Sequence, residues 1–244
     1  MDQSQRWLVA NWKMHGTRAG AAQFATQLET ALQTAPASLH LVFCPPASLL
    51  ACVADAIGPD ARLKLGGQDC HAAVSGAYTG SISASMLADA GAHFVILGHS
   101  ERRAQCYEDC AQVRAKADAA LAVGLTPILC VGETLEEYEA GKTADVLYTQ
   151  CNAFAGLDVA QYLVAYEPVW AIGSGRTPTV GGISAAHSAI KSALGSGVRV
   201  LYGGSVKSTN IREILGGEGV CGALIGGASL ELDSMRDMID AASV

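Results

Sequence analysis

The stretch AYEPVWAIGSGRTPT (165–179) places one carboxylate, Glu167, at the end of an apolar run, follows it with Pro168, and continues into apolar residues broken by Gly173 and Gly175. Surface loops are ordinarily polar, so this pattern suits a lid over an active site. Two other stretches, YGGSV (202–206) and IGGASL (225–230), carry glycine pairs that allow backbone N–H groups to approach an anion. Each leads into a helical turn, whose amino end also favours negative charge. Ser205 adds a hydroxyl donor beside Gly204, and Gly173 adds an amide from the lid segment. Asn11 and Lys13 in NWKMHG, and His99, Ser100 and Glu101 in ILGHSERR, supply an amide, a cation, an imidazole and a second carboxylate. Singly, each has a plainer reading: a structural histidine, a solvated lysine, a Glu-Pro turn, or glycines needed only for tight turns. Gathered at one place, they would form a lidded site for a small anion such as a phosphate ester.

The surrounding elements explain how they could be gathered. Eight short β-rich runs recur: RWLVAN, LHLVFC, RLKLGG, HFVILG, TPILCVG, YLVAYE, VRVLYGG and ALIGG. Helical patterns follow most of them, among them AAQFATQLETAL, AQVRAKADAALAVG, LEEYEAGKTADVLYTQC and SAAHSAIKSALG. Strand followed by helix, eight times, predicts right-handed crossovers and a parallel sheet buried on both faces. The first strand ends in Asn11-Trp12-Lys13 rather than the Gly-x-Gly-x-x-Gly common in open doubly wound sheets. The reading is therefore a closed (β/α)₈ barrel of the α/β class, one domain over residues 1–244. Barrel chemistry lies at the carboxyl ends of the strands, which is where Asn11 and Lys13, His99 to Glu101, Cys130 and Glu133, Glu167, Gly203 to Ser205, and Gly226 and Gly227 all fall.

Composition narrows the partners. The 244 residues are half apolar and 16% charged, with 16 basic against 23 acidic side chains and a net charge of -7. A nucleic acid partner is disfavoured, because such binding rests on a basic face. No apolar run reaches the roughly 18 to 20 residues of a membrane span, and MDQSQRWLVANWK lacks the apolar core of a leader, so no membrane partner and a cytoplasmic location are expected. The eight cysteines include no Cys-x-x-Cys pair and read as reduced packing residues. Cys106 and Cys110, four apart and sharing a helical face if one helix runs through both, are the pair to inspect for metal.

In order along the chain, NWKMHG, ILGHSERR, ILCVGE, AYEPVWAIGSG, YGGSV and IGGASL resemble the motifs of the triosephosphate isomerase family, and the similarity covers essentially the whole sequence. The resemblance implies a homodimeric enzyme of glycolysis and gluconeogenesis that needs no cofactor and no metal and interconverts dihydroxyacetone phosphate and D-glyceraldehyde 3-phosphate. It makes Glu167 the base and His99 the electrophile, acting as a neutral imidazole. Lys13 neutralises developing charge, Asn11 orients it, and Glu101 holds Lys13. Gly173, Ser205, Gly226 and Gly227 bind substrate, and Thr79 in SGAYTGSIS enters the partner subunit. Ser81, Ser174, Arg176, Pro178 and Cys221 depart from the commonest family pattern, touching the lid and the dimer contact rather than the chemistry. Two other readings remain: a different phosphate-binding barrel, such as an indole- or phosphoribosyl-handling enzyme, and a barrel used only for binding or structure.

Overall fold

A computed structural model describes residues 5–243; residues 1–4 and 244, the ends of the expected domain and the start of the segment read for a leader, lie outside the described residues. The first half runs β1 (Arg6–Asn11), α1 (Arg18–Leu32), β2 (Leu39–Cys44), α2 (Leu50–Ile57), β3 (Lys64–Gly67), α3 (Ala84–Asp89), β4 (Phe94–Leu97), α4 (Ser100–Cys106) and α5 (Cys110–Ala122). The second half runs β5 (Thr126–Val131), α6 (Leu135–Glu139), α7 (Thr143–Asn152), β6 (Leu163–Tyr166), α8 (Val180–Leu194), β7 (Arg199–Tyr202), α9 (Ile211–Leu215), β8 (Val220–Ile225) and α10 (Leu232–Ala242). All neighbouring strands pair in parallel, and β1 pairs with β8, which closes the expected barrel.

Strand alternation divides the core into two layers. Trp7, Val9, Val42, Cys44, Phe94, Ile96, Ile128, Cys130, Leu163, Ala165, Leu201 and Leu224 form one cluster that fills the barrel. The alternate residues, including Leu8, Leu41, Phe43, Val95, Leu129, Val164, Tyr202 and Ile225, pack with the inner faces of the helices. The runs are apolar throughout because both faces of a closed parallel sheet are covered. A residue two places beyond an inward one points inward again. That phase sets the site.

Two expectations need correction. LEEYEAGKTADVLYTQC is not one helix: α6 ends before Gly141, whose φ of 69 takes the left-handed region that glycine enters without a Cβ clash, and α7 starts afresh at Thr143. Cys106 and Cys110 do not share a helical face. α4 stops at Cys106, Tyr107 turns the chain with φ of 56, and Asp109 caps a new helix by accepting from the Gln112 N–H at 2.7 Å. Among the described residues no group of three His, Cys, Asp or Glu side chains could hold a metal ion, and no helix is long and apolar enough to cross a membrane.

Candidate active site

Four of the inward rows continue past the apolar filling at the carboxyl mouth. Asn11 follows Val9, Glu167 follows Ala165, Gly203 follows Leu201, and Gly226 follows Leu224. The mouth therefore carries an amide, a carboxylate and two stretches of bare backbone. Two glycines make room for the carboxylate. A Cβ on Gly132 would lie 1.8 Å from the Glu167 carbonyl oxygen, and a Cβ on Gly203 would lie 2.8 Å from Glu167 Cγ.

Glu167 is 2% exposed and His99 6%. The Ser100 N–H, at the start of α4, donates to Glu167 Oε2 at 2.9 Å. Glu167 Oε1 lies 3.1 Å from His99 Nε2, yet it takes no aligned hydrogen bond and is the carboxylate's unpaired oxygen. Glu108 and Glu133 also bury an unpaired carboxylate oxygen, but of the three only Glu167 lines the cavity bounded by the glycine pairs, where such an oxygen can meet a ligand. His99 caps α4: its Nδ1 accepts from the Glu101 N–H at 3.2 Å. A ring nitrogen that accepts cannot also donate, so with Nδ1 taken by this N–H a singly protonated ring carries its proton on Nε2. Beneath the carboxylate, burial first and then the negative charge of Glu167 push the Cys130 thiol well up, leaving it a neutral packing group.

Lys13 reaches the same mouth from β1. Its Nζ donates to Glu101 Oε1 at 2.6 Å. The Lys13 backbone adopts φ of 51, unfavourable for a residue with a Cβ, and two contacts hold it there. Asn11 Oδ1 accepts from the Lys13 N–H at 3.0 Å, and Gln68 Nε2 donates to the Lys13 carbonyl at 2.8 Å. Gln68 is a positioning residue that the sequence reading missed. Its place just past β3 was the available signal.

The segment that follows Glu167 is anchored on Glu133, which is fully buried. Glu133 Oε1 accepts from Trp170 Nε1 at 2.9 Å and from the Tyr166 hydroxyl at 3.0 Å, while its backbone carbonyl accepts from the Val169 N–H at 3.0 Å. Ser174 Oγ ties back to the Trp170 carbonyl at 2.9 Å. Gly173 and Gly175 have φ of 65 and 74, and a Cβ on either would meet nothing within 4 Å, so the tip stands clear of the barrel. Below it lies a cavity of about 480 Å³ bounded by Lys13, His99, Glu167, Gly173, Ser205 and both glycine pairs. Gly226 and Gly227 stand at the start of a single 3-10 turn, Gly227–Leu230. The Ser205 hydroxyl lines this cavity but donates to the Ala171 carbonyl of the lid root at 2.6 Å. The structure thus brings together Asn11, Lys13, His99, Glu101, Glu167, Gly173, Ser205, Gly226 and Gly227.

Thr79 stands elsewhere, on the exposed loop between β3 and α3, where the neighbouring Tyr78 ring packs on His71 at 4.0 Å. A second cavity of about 440 Å³ opens beside Lys13, His99 and Glu101. Three of its lining residues, Asp69, Arg102 and Lys116, join Glu108 in a ring of four charges unseen in the sequence. Lys116 Nζ donates to Asp69 Oδ1 at 2.7 Å and to Glu108 Oε1 at 2.5 Å, and Arg102 donates to Glu108 Oε1 at 2.6 Å and to Asp69 Oδ2 at 3.0 Å. Burial is the largest influence on both acids and raises Asp69; at Glu108 it is outweighed by the hydrogen bonds from Lys116 and Arg102, which hold that carboxyl low. Arg102 follows Glu101 directly, so the ring braces the helix that presents the imidazole and its neighbours.

A family model described as triosephosphate isomerase matches residues 6–242. The triosephosphate isomerase of Ruegeria sp. (strain TM1040) is 46% identical over 98% of this chain and 98% of its own. That of Ruegeria pomeroyi is 48% identical over 96% and 95%, and that of Xanthobacter flavus 47% identical over 95% of each chain.

Proposed function

Because the chain belongs to the triosephosphate isomerase family and interconverts dihydroxyacetone phosphate and D-glyceraldehyde 3-phosphate, we propose that Glu167 carries the proton between the two carbons of the triose. The observation behind this assignment is the unpaired, buried Oε1 of Glu167 beside the cavity. A proton shuttle needs one oxygen held for aim and one left for the substrate, and the Ser100 N–H provides the first. His99 Nε2–H polarises the substrate oxygens as a neutral imidazole, a tautomer favoured by the Glu101 N–H at Nδ1. Lys13 offsets the charge that develops on those oxygens, Glu101 holds its ammonium, and Asn11 holds its backbone. The amides of Gly173, Gly226 and Gly227 receive the phosphate, and Ser205 joins them when it leaves the Ala171 carbonyl.

Protein mixed with dihydroxyacetone phosphate in D₂O should form D-glyceraldehyde 3-phosphate and place solvent deuterium on carbon. Product without any deuterium at carbon would exclude a solvent-exchanging carboxylate base. No turnover would return the chain to a binding barrel.

The working unit is further proposed to be a cytoplasmic homodimer, with each chain one domain over 1–244. Met14, Val74, Tyr78, Met86 and Tyr107 are exposed. Val74 and Tyr78 belong to the loop that carries Thr79, and Met14 lines the second cavity, so both the loop and the cavity it would enter expose apolar side chains. Thr79→Arg would bring an unpaired charge into that contact and should turn a micromolar dimer into monomer. Sedimentation would show the shift. A fully active wild-type monomer would refute the assignment.

A further inference from the structure

We propose that Lys207 is a further substrate-binding residue, the cation that draws the phosphate dianion into the open site and holds it there before the lid closes; this rests on the isomerase reading above. The charge balance of the cavity motivates it. The charged side chains that line it are Lys13, Glu167 and Lys207. Lys13 is committed to Glu101 at 2.6 Å, so the Glu101–Lys13–Glu167 group carries a net charge of -1 before substrate arrives. A chain of net charge -7 adds a field that opposes a dianion. The glycine pairs offer amide dipoles, which act over short range and give no long-range attraction.

Lys207 is the cavity's uncompensated cation. It belongs to none of the ion pairs among the described residues. It stands two residues past Ser205, at the lip of the glycine cradle. Its backbone is fixed: Asn210 Oδ1 accepts from the Lys207 N–H at 2.8 Å, and Asn210 Nδ2 donates to the Ser205 carbonyl at 3.1 Å. The anchored main chain thus holds a flexible, exposed lysine in the cavity lining on the side of the glycine cradle. Such a group acts on encounter and on retention of the phosphate, and it should separate KM from kcat.

Steady-state kinetics of Lys207→Gln, Lys207→Arg and Lys207→Glu against ionic strength test this. Lys207→Gln should lower kcat/KM for D-glyceraldehyde 3-phosphate by roughly 3- to 10-fold at low salt, mainly through KM, with the gap to wild type closing as salt rises. Lys207→Arg should restore most of the loss, and Lys207→Glu should deepen it. With unphosphorylated D-glyceraldehyde, whose proton exchange requires the same base but no phosphate contact, the glutamine variant should match wild type. A wild-type kcat/KM and salt slope in Lys207→Gln would overturn the inference, as would an equal loss on D-glyceraldehyde. Either result would leave the isomerase reading standing while wild type turns over in the same assay; absent wild-type turnover would strike that reading instead.

Discussion

Glu167→Asp is expected to lower kcat by roughly 100-fold while KM changes far less, because a displacement near 1 Å in a proton-transfer group is enough for a loss of that size. The shortened side chain withdraws the carboxylate by about 1.5 Å, one carbon–carbon bond. The surroundings cannot follow it inward. The backbone of Glu167 is fixed by its N–H donating to the Val131 carbonyl at 2.7 Å, and it packs so near Gly132 that a Cβ there would lie 1.8 Å from the Glu167 carbonyl oxygen. The oxygen that Ser100 aims belongs to the longer side chain. The proposed phosphate contacts, Gly173 in the lid and Ser205, Gly226 and Gly227 beyond β7 and β8, are untouched, so the change falls on the transition state rather than on substrate binding. Kinetics in both directions, with deuterium exchange to isolate the proton step, would measure it. Equal losses in kcat and KM, or none, would redirect attention to Glu101 or Glu133. Glu133 is poorly placed for that role: it is fully buried and, unlike Glu167, does not line the cavity, so its own unpaired Oε2 faces no substrate.

The barrel was legible because its signals are local and repeated. Each strand is a short apolar run, and eight of them alternating with helical patterns leave few topologies. Most of the mouth was legible for a related reason: Asn11, Glu167, Gly203 and Gly226 each follow an apolar run directly. Lys13, His99 and Gly173 stand in motifs whose order matches the family. What escaped depends on distance in sequence. Asp69, Arg102, Glu108 and Lys116 form one ring from three separate segments, and nothing near Lys116 announces that its ammonium is buried against two carboxylates. Gln68 likewise matters only because β1 and β3 bring the Lys13 carbonyl within its reach. The pairing of Cys106 with Cys110 failed for a local reason, since a left-handed Tyr107 and the Asp109 cap override the spacing that would have placed them on one helix. The break between α6 and α7 has the same character: Gly141 was visible, but its conformation was not.

Deleting Ile172 to Gly175 is the second large expected effect: kcat should fall, and inorganic phosphate and methylglyoxal should appear as side products. The enediolate has two fates. Reprotonation at carbon gives product; if instead the electron pair expels the β-phosphate by breaking its carbon–oxygen bond, the remaining enol becomes methylglyoxal. A closed lid suppresses the second fate by holding that bond near the plane of the enediolate, where the electron pair overlaps it poorly, and by excluding water. The lid root is built to survive the deletion, since Glu133 still receives Trp170 and Tyr166, and the Ala171 carbonyl still accepts from Ser205. The lost part is the clear-standing tip, with the two positive-φ glycines and the Gly173 amide proposed for the phosphate. Pro178→Ala tests the other end of the lid. Pro178 precedes Thr179, whose hydroxyl caps α8 by accepting from the Gly182 N–H at 3.1 Å, so the proline stiffens the hinge without contributing a ligand contact. That variant should be mild and should alter product release more than chemistry. An intact kcat with no phosphate release after the tip deletion would refute the lid assignment even with Glu167 confirmed as the base, because the enediolate would then be protected by the rigid mouth of the barrel alone.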